Sequence, residues 1–529
     1  MKITKIDLLL SGTSGVLFPI AFIVPYGWIL AWFLLVPLII SLENKSPGNA
    51  FRLGLLAGTV TNVVGTYWII GTLVRFGGYP YVVSALFHLI LSMYSGLSFA
   101  LFAYISAKLG LFQKPGLLSA LLIASVWTSV EFLFPYLFPY GITNSQASFI
   151  PMIQIYDLFG MYSLSFLIVL VNVTLTRLIK SFREASPKPI LEIITSLALA
   201  LLTISYGLWK IGIEDQKIAD APRIKVGIVQ ANFDFFEKNE DNEDAISERH
   251  RSMSQSLDSP DLVIWPETAV QAWIPLSSDS LSDDGKSIVP QVDGTYFMVG
   301  GLSYSINKVS PDGTISEEDI NQFNTAFLTD PQGKILGRYH KIKLLLFGEY
   351  LPFSKYIPSL KKLSPATGDF IPGSELNLFE IKEKDVKIAP LICYEDIIPS
   401  FSRRFVNEGA NLIVNLTNDA WFGRSTAPYQ HLLLSIPRAV ETRRYLIRST
   451  NTGISAVIDP VGRIVADTGI FEQATLEEEV GIMDGEKTLY TRTGDIFSWG
   501  CLVFWVGFTV ITKFSATKTR RHKEKMFTG

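Results

Sequence analysis

Residues 1–210 are almost continuously apolar, residues 215–490 alternate short apolar runs with polar ones, and a last apolar run precedes a basic tail. A bilayer core of about 30 Å takes about 20 mostly apolar helical residues. Windows of that length fall at 8–24, 25–41, 53–73, 80–106, 116–136, 158–176 and 190–209, with one more at 496–513. The pattern predicts a bundle of about eight transmembrane helices. Gly12, Gly15, Pro19 and Pro25 interrupt the first two windows, which neighbouring helices can tolerate by satisfying the backbone. No small-residue cleavage site follows the first apolar run, so the N-terminus reads as a membrane helix rather than a signal peptide.

Past Arg223 the pattern turns to strands and helices of a soluble kind. Residues 223–230, 262–267, 297–304, 325–329, 387–393, 412–417 and 453–459 read as strands; 244–257, 399–408 and 429–445 have helical spacing. Asp330-Pro-Gln-Gly and Asp459-Pro-Val-Gly each follow one strand and precede another, as hairpin turns do. This alternation predicts an α/β domain inserted between membrane segments. The expected division is 1–215 for seven membrane helices, 219–488 for the α/β domain, and 489–529 for a last helix and tail.

Charge sets the expected orientation. With the N-terminus inside, the cytoplasmic loops hold Lys45 and Arg52, then Lys108 and Lys114, then Arg177, Lys180, Arg183 and Lys188. The alternate loops hold Arg75 and, around 137–157, no Lys or Arg. By the positive-inside rule the α/β domain then lies outside, and the tail with Lys518, Arg520, Arg521, Lys523 and Lys525 returns to the cytoplasm. The net charge of -3 gives no case for nucleic acid. Few ionisable residues sit within the spans, chiefly His88 and Glu131, and they read as satisfied interior polar groups rather than a translocation path. Chemistry is expected in the α/β domain.

Three segments there could carry it. Trp265-Pro266-Glu267-Thr268 ends a buried-type strand at a carboxylate, which by itself reads as the first solvated residue. Tyr339-His340-Lys341 is soon followed by Phe347-Gly348-Glu349-Tyr350-Leu351-Pro352, and a Lys and Glu so close on a loop are commonly a weak surface ion pair. Leu391-Ile392-Cys393-Tyr394-Glu395-Asp396 delivers a thiol where a strand gives way to a helix. The chain has two cysteines, Cys393 and Cys501, and a lone thiol is more often an inert buried residue. Together, however, the parts fit acyl transfer: Glu267 as base, Lys341 as oxyanion partner and Cys393 as nucleophile. His250, His340 and His431 carry no Cys–His signature, and no metal or nucleotide motif is present, so no cofactor is expected.

The ordered set WPE, YHK with FGEYLP, ICYED and Asn418-Asp419-Ala420-Trp421-Phe422-Gly423 resembles the nitrilase superfamily. With Arg448-Ser449-Thr450-Asn451-Thr452-Gly453, Thr491-Arg492-Thr493-Gly494 and the membrane frame, the chain is similar to the apolipoprotein N-acyltransferase branch. That resemblance implies an αββα sandwich and a Glu267–Lys341–Cys393 triad, supported by Glu349, Tyr394 and Glu395. It implies an enzyme of the bacterial inner membrane, with a phospholipid as acyl donor and a diacylglyceryl-lipoprotein as acceptor. A monomer is the simplest expectation. The sequence departs from the family at Leu346, where proline is usual, and in the segment after Gln230. Leu345, Phe347, Tyr350, Phe353, Trp421 and Phe422 either guide acyl chains or fill the core. A membrane-anchored amidase and a non-catalytic transporter or scaffold are the alternative functions.

Overall fold

The computed structural model describes residues 2–234, 242–283, 285–308, 315–316, 319–351 and 367–527. Two compact units result. One comprises Met1–Tyr67, Ala85–Leu208 and Thr493–Gly529; the other comprises Trp68–Ser84 and Trp209–Arg492.

The first unit is helical. Its elements include α1 (Lys5–Ile23), α2 (Val36–Leu42) and α3 (Pro47–Gly65). The short α4 (Trp68–Arg75) belongs to the second unit. Next come α5 (Tyr81–Lys108), α6 (Leu117–Leu133), α7 (Ile150–Ile153), α8 (Tyr156–Phe159), α9 (Tyr162–Arg183) and α10 (Ile190–Asp220). Among the described residues five helices are long and apolar enough to cross a membrane: α1, α5, α9, α10 and the C-terminal Ile496–Lys513. α3 and α4 add a sixth only as a bent pair. The windows therefore meet helix throughout, but not as eight straight spans. Residues 25–41 break into a 3-10 turn, Gly27–Trp32, and α2, with Pro37 in its first turn. Asn172 on α9 staples that break, accepting from the Leu35 amide at 2.8 Å and donating to the Ala31 carbonyl at 2.9 Å. α6 has 17 residues, a length of about 26 Å at 1.5 Å per residue.

Small residues let these helices close on one another. A Cβ on Gly54 or Gly58 of α3 would come within 2.5 or 2.7 Å of α5 backbone at Phe99 and Gly96. The two interior polar groups are bonded: Glu131 accepts from the Ile142 amide at 2.8 Å, and His88 meets the Thr66 hydroxyl at 3.2 Å.

The second unit holds two sheets. Its strands are β1 (Arg223–Gln230), β2 (Leu262–Ile264), β3 (Val270–Pro275), a small ribbon of β4 (Ser282–Asp283) and β5 (Lys286–Ser287), β6 (Tyr296–Ile306), β7 (Ile320–Thr329) and β8 (Ile335–His340). β9 (Phe379–Ile381), β10 (Val386–Ile392), β11 (Leu412–Thr417), β12 (Tyr445–Thr450), β13 (Ala456–Ile458), β14 (Ile464–Asp467) and β15 (Ala474–Gly481) follow. The first sheet runs β15-β1-β2-β6-β7-β8 with β3 beside β6, and the second runs β14-β13-β12-β11-β10-β9. The inner strands β1-β2-β6 and β10-β11-β12 pair in parallel. Such strands are covered on both faces and read as continuous apolar runs, which is why β10 and β11 are buried almost end to end.

The Ser449 hydroxyl on β12 bonds the Ile264 carbonyl on β2, so the sheets face each other. α11 (Glu243–Gln255) covers the outer face of the first sheet, packing Ile246, Met253 and the following Leu257 against Val229, Trp265 and Phe297. α12 (Pro399–Asn407) and α13 (Ala427–Thr442) flank the second sheet. Both hairpin turns form: Gly333 N–H bonds Asp330 O at 3.0 Å, and Gly462 N–H bonds Asp459 O at 2.9 Å.

Candidate active site

Chain direction places the site. The chain leaving β2, β8 and β10 delivers Glu267, Lys341 and Cys393 to one edge of the sandwich. Glu267 lies just past β2, in a turn where Thr268 takes a positive φ of 51°. Gly300 on β6 makes room for that turn, because a Cβ there would stand 2.6 Å from Glu267 Cα. Lys341 follows β8 directly, its amide held by Asn324 O at 2.9 Å.

The lysine is not the surface residue that its sequence setting predicts. It is 2% exposed. Its Nζ lies 3.2 Å from Glu267 Oε1 and 3.0 Å from each carboxylate oxygen of Glu349. Burial works against the ammonium, but Glu267 and Glu349 outweigh it and hold its pKa well above the ordinary lysine range. Glu349 is fixed in turn, with its Oε2 accepting from the Leu345 amide at 2.7 Å. Asn324 on β7, which nothing in the sequence singles out, donates its Nδ2 to both carboxylates at 2.7 and 2.8 Å. It has the look of an ordinary polar strand residue in Ile320–Thr329; only the fold brings the two glutamates to it.

Cys393 opens a 3-10 turn, Cys393–Ile397, at the end of β10. Its φ of 55° is in the left-handed region that a side chain rarely occupies, so the thiol is thrust out at a tight elbow. Burial pushes the thiol pKa up; Glu267 adds to the rise, Lys341 opposes it, and Glu349 and Asp419 raise it further. The resting group is therefore a protonated thiol within the electrostatic reach of Glu267 and Lys341. Tyr394 is half-buried and bonds Leu344 O at 3.3 Å.

Glu395 braces the lysine segment. Its Oε1 accepts from the Ile342 and Lys343 amides at 2.8 and 2.9 Å. Its Oε2 accepts from the Ile392 amide and the Tyr339 hydroxyl at 2.9 and 3.0 Å. Burial pushes its pKa up to about 7 in spite of these donors.

The three histidines of the domain are engaged elsewhere. His431 lies between Asp396 and Asp419, His340 bonds the Thr325 hydroxyl, and His250 bonds Ile246 O. The segment after Gln230, which the family pattern left unplaced, is tied to two of the family's motifs. Asn451 exchanges bonds with the Phe233 backbone and donates to Asn418 Oδ1, joining the RSTNTG and NDAWFG motifs.

Of the expected lipid contacts, Phe347 is 57% exposed at a turn with φ of 66°, while Leu345 and Tyr350 beside it are half-buried. Trp421 and Phe422 are half-buried against α4 and the residue after it: Trp421 packs on Phe76 at 4.6 Å, and Phe422 on Trp68 at 4.7 Å. Phe353 lies outside the described residues.

Residues 225–484 match the Carbon-nitrogen hydrolase family, and residues 14–174 match the Apolipoprotein N-acyltransferase N-terminal domain. Apolipoprotein N-acyltransferase of Geobacter metallireducens is 35% identical over 510 residues, covering 94% of each chain. The protein of the same name from Rickettsia prowazekii is 31% identical over 519 residues, covering 95% of this chain and 97% of its own. A solved amidase of the nitrilase superfamily from Nesterenkonia AN1 covers 51% of this chain and 94% of its own, at 19% identity and a TM-score of 0.35.

Proposed function

The chain belongs to the apolipoprotein N-acyltransferase family, and from that premise we propose that Cys393 carries an acyl group from a phospholipid to the N-terminal amine of a diacylglyceryl-cysteine lipoprotein. One observation carries the residue assignment: a buried ammonium, Lys341, clamped by Glu267 and Glu349 within electrostatic reach of Cys393.

Glu267 takes the thiol proton as Cys393 attacks the ester carbonyl. A raised thiol pKa makes this transfer part of the attack rather than a prior ionisation. Lys341 faces the negative charge that develops on the carbonyl oxygen. The tetrahedral intermediate collapses, the carbon–oxygen bond breaks, and the leaving alkoxide takes the proton back from Glu267 as lysophospholipid. The thioester then meets the acceptor amine, which loses its proton to Glu267 as the carbon–nitrogen bond forms. Collapse returns the electron pair to Cys393 sulfur and the proton follows. One site is used twice, and ester plus amine become amide plus alcohol.

Both substrates are lipids, which accounts for a membrane frame around a hydrolase-type fold. The thioester must outlive water, so the apolar turn Leu344-Leu345-Leu346-Phe347 is assigned to guiding acyl chains and excluding solvent. The loop-charge pattern supports placing the α/β domain outside the bacterial cytoplasmic membrane.

The test is transfer from phosphatidylethanolamine labelled separately at the sn-1 and sn-2 chains to a diacylglyceryl-cysteine peptide. The reading expects N-acyl peptide bearing the sn-1 label. Free fatty acid with unmodified peptide would contradict it and favour a hydrolase.

A further inference from the structure

Beyond the Glu267–Lys341–Cys393 group, a second set of buried charges gathers around His431. The ring, on α13, is 7% exposed, and Asp396 and Asp419 beside it are fully buried. Its Nδ1 is 3.0 Å from Asp419 Oδ1, and its Nε2 is 3.1 Å from Asp396 Oδ1. A carboxylate oxygen can only accept, and a neutral imidazole donates from one nitrogen alone. Both bonds together need one proton more than a neutral ring between two carboxylates carries.

The surroundings say where that proton resides. Asp396 Oδ2 already accepts from Asn415 Nδ2 at 2.7 Å and from Arg448 Nη1, so Asp396 is held as a carboxylate. Asp419 Oδ2 has no hydrogen-bond partner among the described residues and lies against Gly453, where a Cβ would stand 2.3 Å from it. The extra proton is therefore shared between His431 and Asp419. The charged groups facing the ring are Asp396 from the nucleophile's turn, Asp419 from the Asp419–Phe422 turn, and Arg448 of β12 by way of Asp396. Among the described residues α12 places no ion pair on the ring, and Arg438 on the same helix turns to Glu441 at 3.1 Å.

The two ends of this array matter to the site. Asp396 is three residues past Cys393 in the same tight turn, and that turn holds Cys393 in its left-handed conformation. Asp419 begins the turn that carries Trp421 and Phe422, and its charge acts on the Cys393 thiol. We propose that His431, sharing an extra proton with Asp419, clasps the nucleophile's turn to the Asp419–Phe422 turn and is a positioning residue for Cys393. The inference rests on the reading of Cys393 as the nucleophile.

Asp419→Asn keeps the clasp with a neutral ring: the amide donates to Nδ1, while Nε2–H still serves Asp396. Asp419→Ala offers Nδ1 no partner and opens it. The experiment measures acyl-adduct formation on the full chain in phosphatidylethanolamine micelles, by intact mass, with thermal unfolding as the check on folding. Asp419→Asn is expected to keep close to the wild-type rate that Asp419→Ala loses. His431→Gln, which can donate at one end only, is expected to fall roughly 10²-fold in maximal rate with the half-saturating lipid concentration little changed, as misplacement of a reacting group does. Equal rates in folded Asp419→Asn and Asp419→Ala would overturn the clasp, as would the wild-type rate in folded His431→Gln. Should His431→Gln not fold, the two Asp419 variants decide alone. Cys393→Ala separates the two claims: an adduct that persists in it defeats the nucleophile assignment itself. Loss of the adduct there, beside unchanged His431 and Asp419 variants, defeats only the clasp.

Discussion

Removing a single polar group should expose how the site holds its charges apart. Glu267 and Glu349 are like charges brought to one ammonium, and Asn324 Nδ2 is the neutral donor that bonds both. Asn324→Ala removes the donor that the two carboxylates share. Turnover is expected to drop about 10²-fold, measured by peptide acylation, with the fold retained by circular dichroism. Glu267 and Cys393 were legible in the sequence because each ends an apolar run that reads as a strand, whereas Lys341 was drawn out by Glu349 close behind it and by the family resemblance. Asn324 was not, since a strand's polar alternation hides which face a residue serves until its neighbours are placed. The burial of Lys341 was misread for a related reason: Glu267, distant in sequence, joins the nearby Glu349 in offsetting the cost of burying it.

At the scale of elements, the turns at the strand ends carry the geometry. Gly300 packs flush under the Glu267 turn, so Gly300→Ala must push that turn aside. Acylation is expected to fall at least roughly tenfold, the scale of a small displacement of a general base, while binding of a lipid analogue is little affected. Glu395 ties the Cys393 turn to the segment after Lys341, and its folded pKa of about 7 lies above the ordinary glutamate value near 4.3. A raised carboxyl pKa means the folded state binds the proton more tightly than the unfolded one. Its contribution is full below about 4 and is lost as pH rises through about 7. Stability measured against pH should therefore decline across that window in wild type, and the decline should be shallower in Glu395→Gln. Equal slopes would show that Glu395 is ionised throughout.

Seven of the fifteen strands described in the α/β unit, and the helices α11, α12 and α13, could be read from periodicity, down to the bounds of β1 and β11. β15 was missed because its exposed edge carries Glu477, Glu478 and Glu479, which break the apolar pattern while pairing with β1. In the membrane unit the apolar windows were real, but hydropathy does not report where proline and a side chain such as Asn172 divide a window into two shorter helices.

Over the whole molecule, composition separates two environments. On α10, Leu197, Leu201, Leu202 and Leu208 are all more than half exposed, an apolar face that lipid satisfies. The segment Trp68–Ser84 interrupts the apolar region yet packs with the α/β unit, its Trp68 bonding Gln430 at 3.1 Å. Such an allegiance is invisible to a hydropathy window. Orientation is testable because both native cysteines are buried. Asp258→Cys, at a side chain 93% exposed, should react with an impermeant maleimide on spheroplasts, whereas Thr519→Cys in the basic tail should react only after lysis. The reverse pattern would invert the topology.

The central claim is that Cys393 carries the acyl group between two lipids. The most direct measurement is peptide-level mass spectrometry of the full chain after incubation with phosphatidylethanolamine, in wild type and Cys393→Ala. The account predicts an acyl thioester on the Cys393 peptide, absent from the variant, that disappears with formation of N-acyl product when diacylglyceryl-cysteine peptide is added. Wild type that makes product with no adduct on Cys393, or a variant that still makes it, would contradict the account.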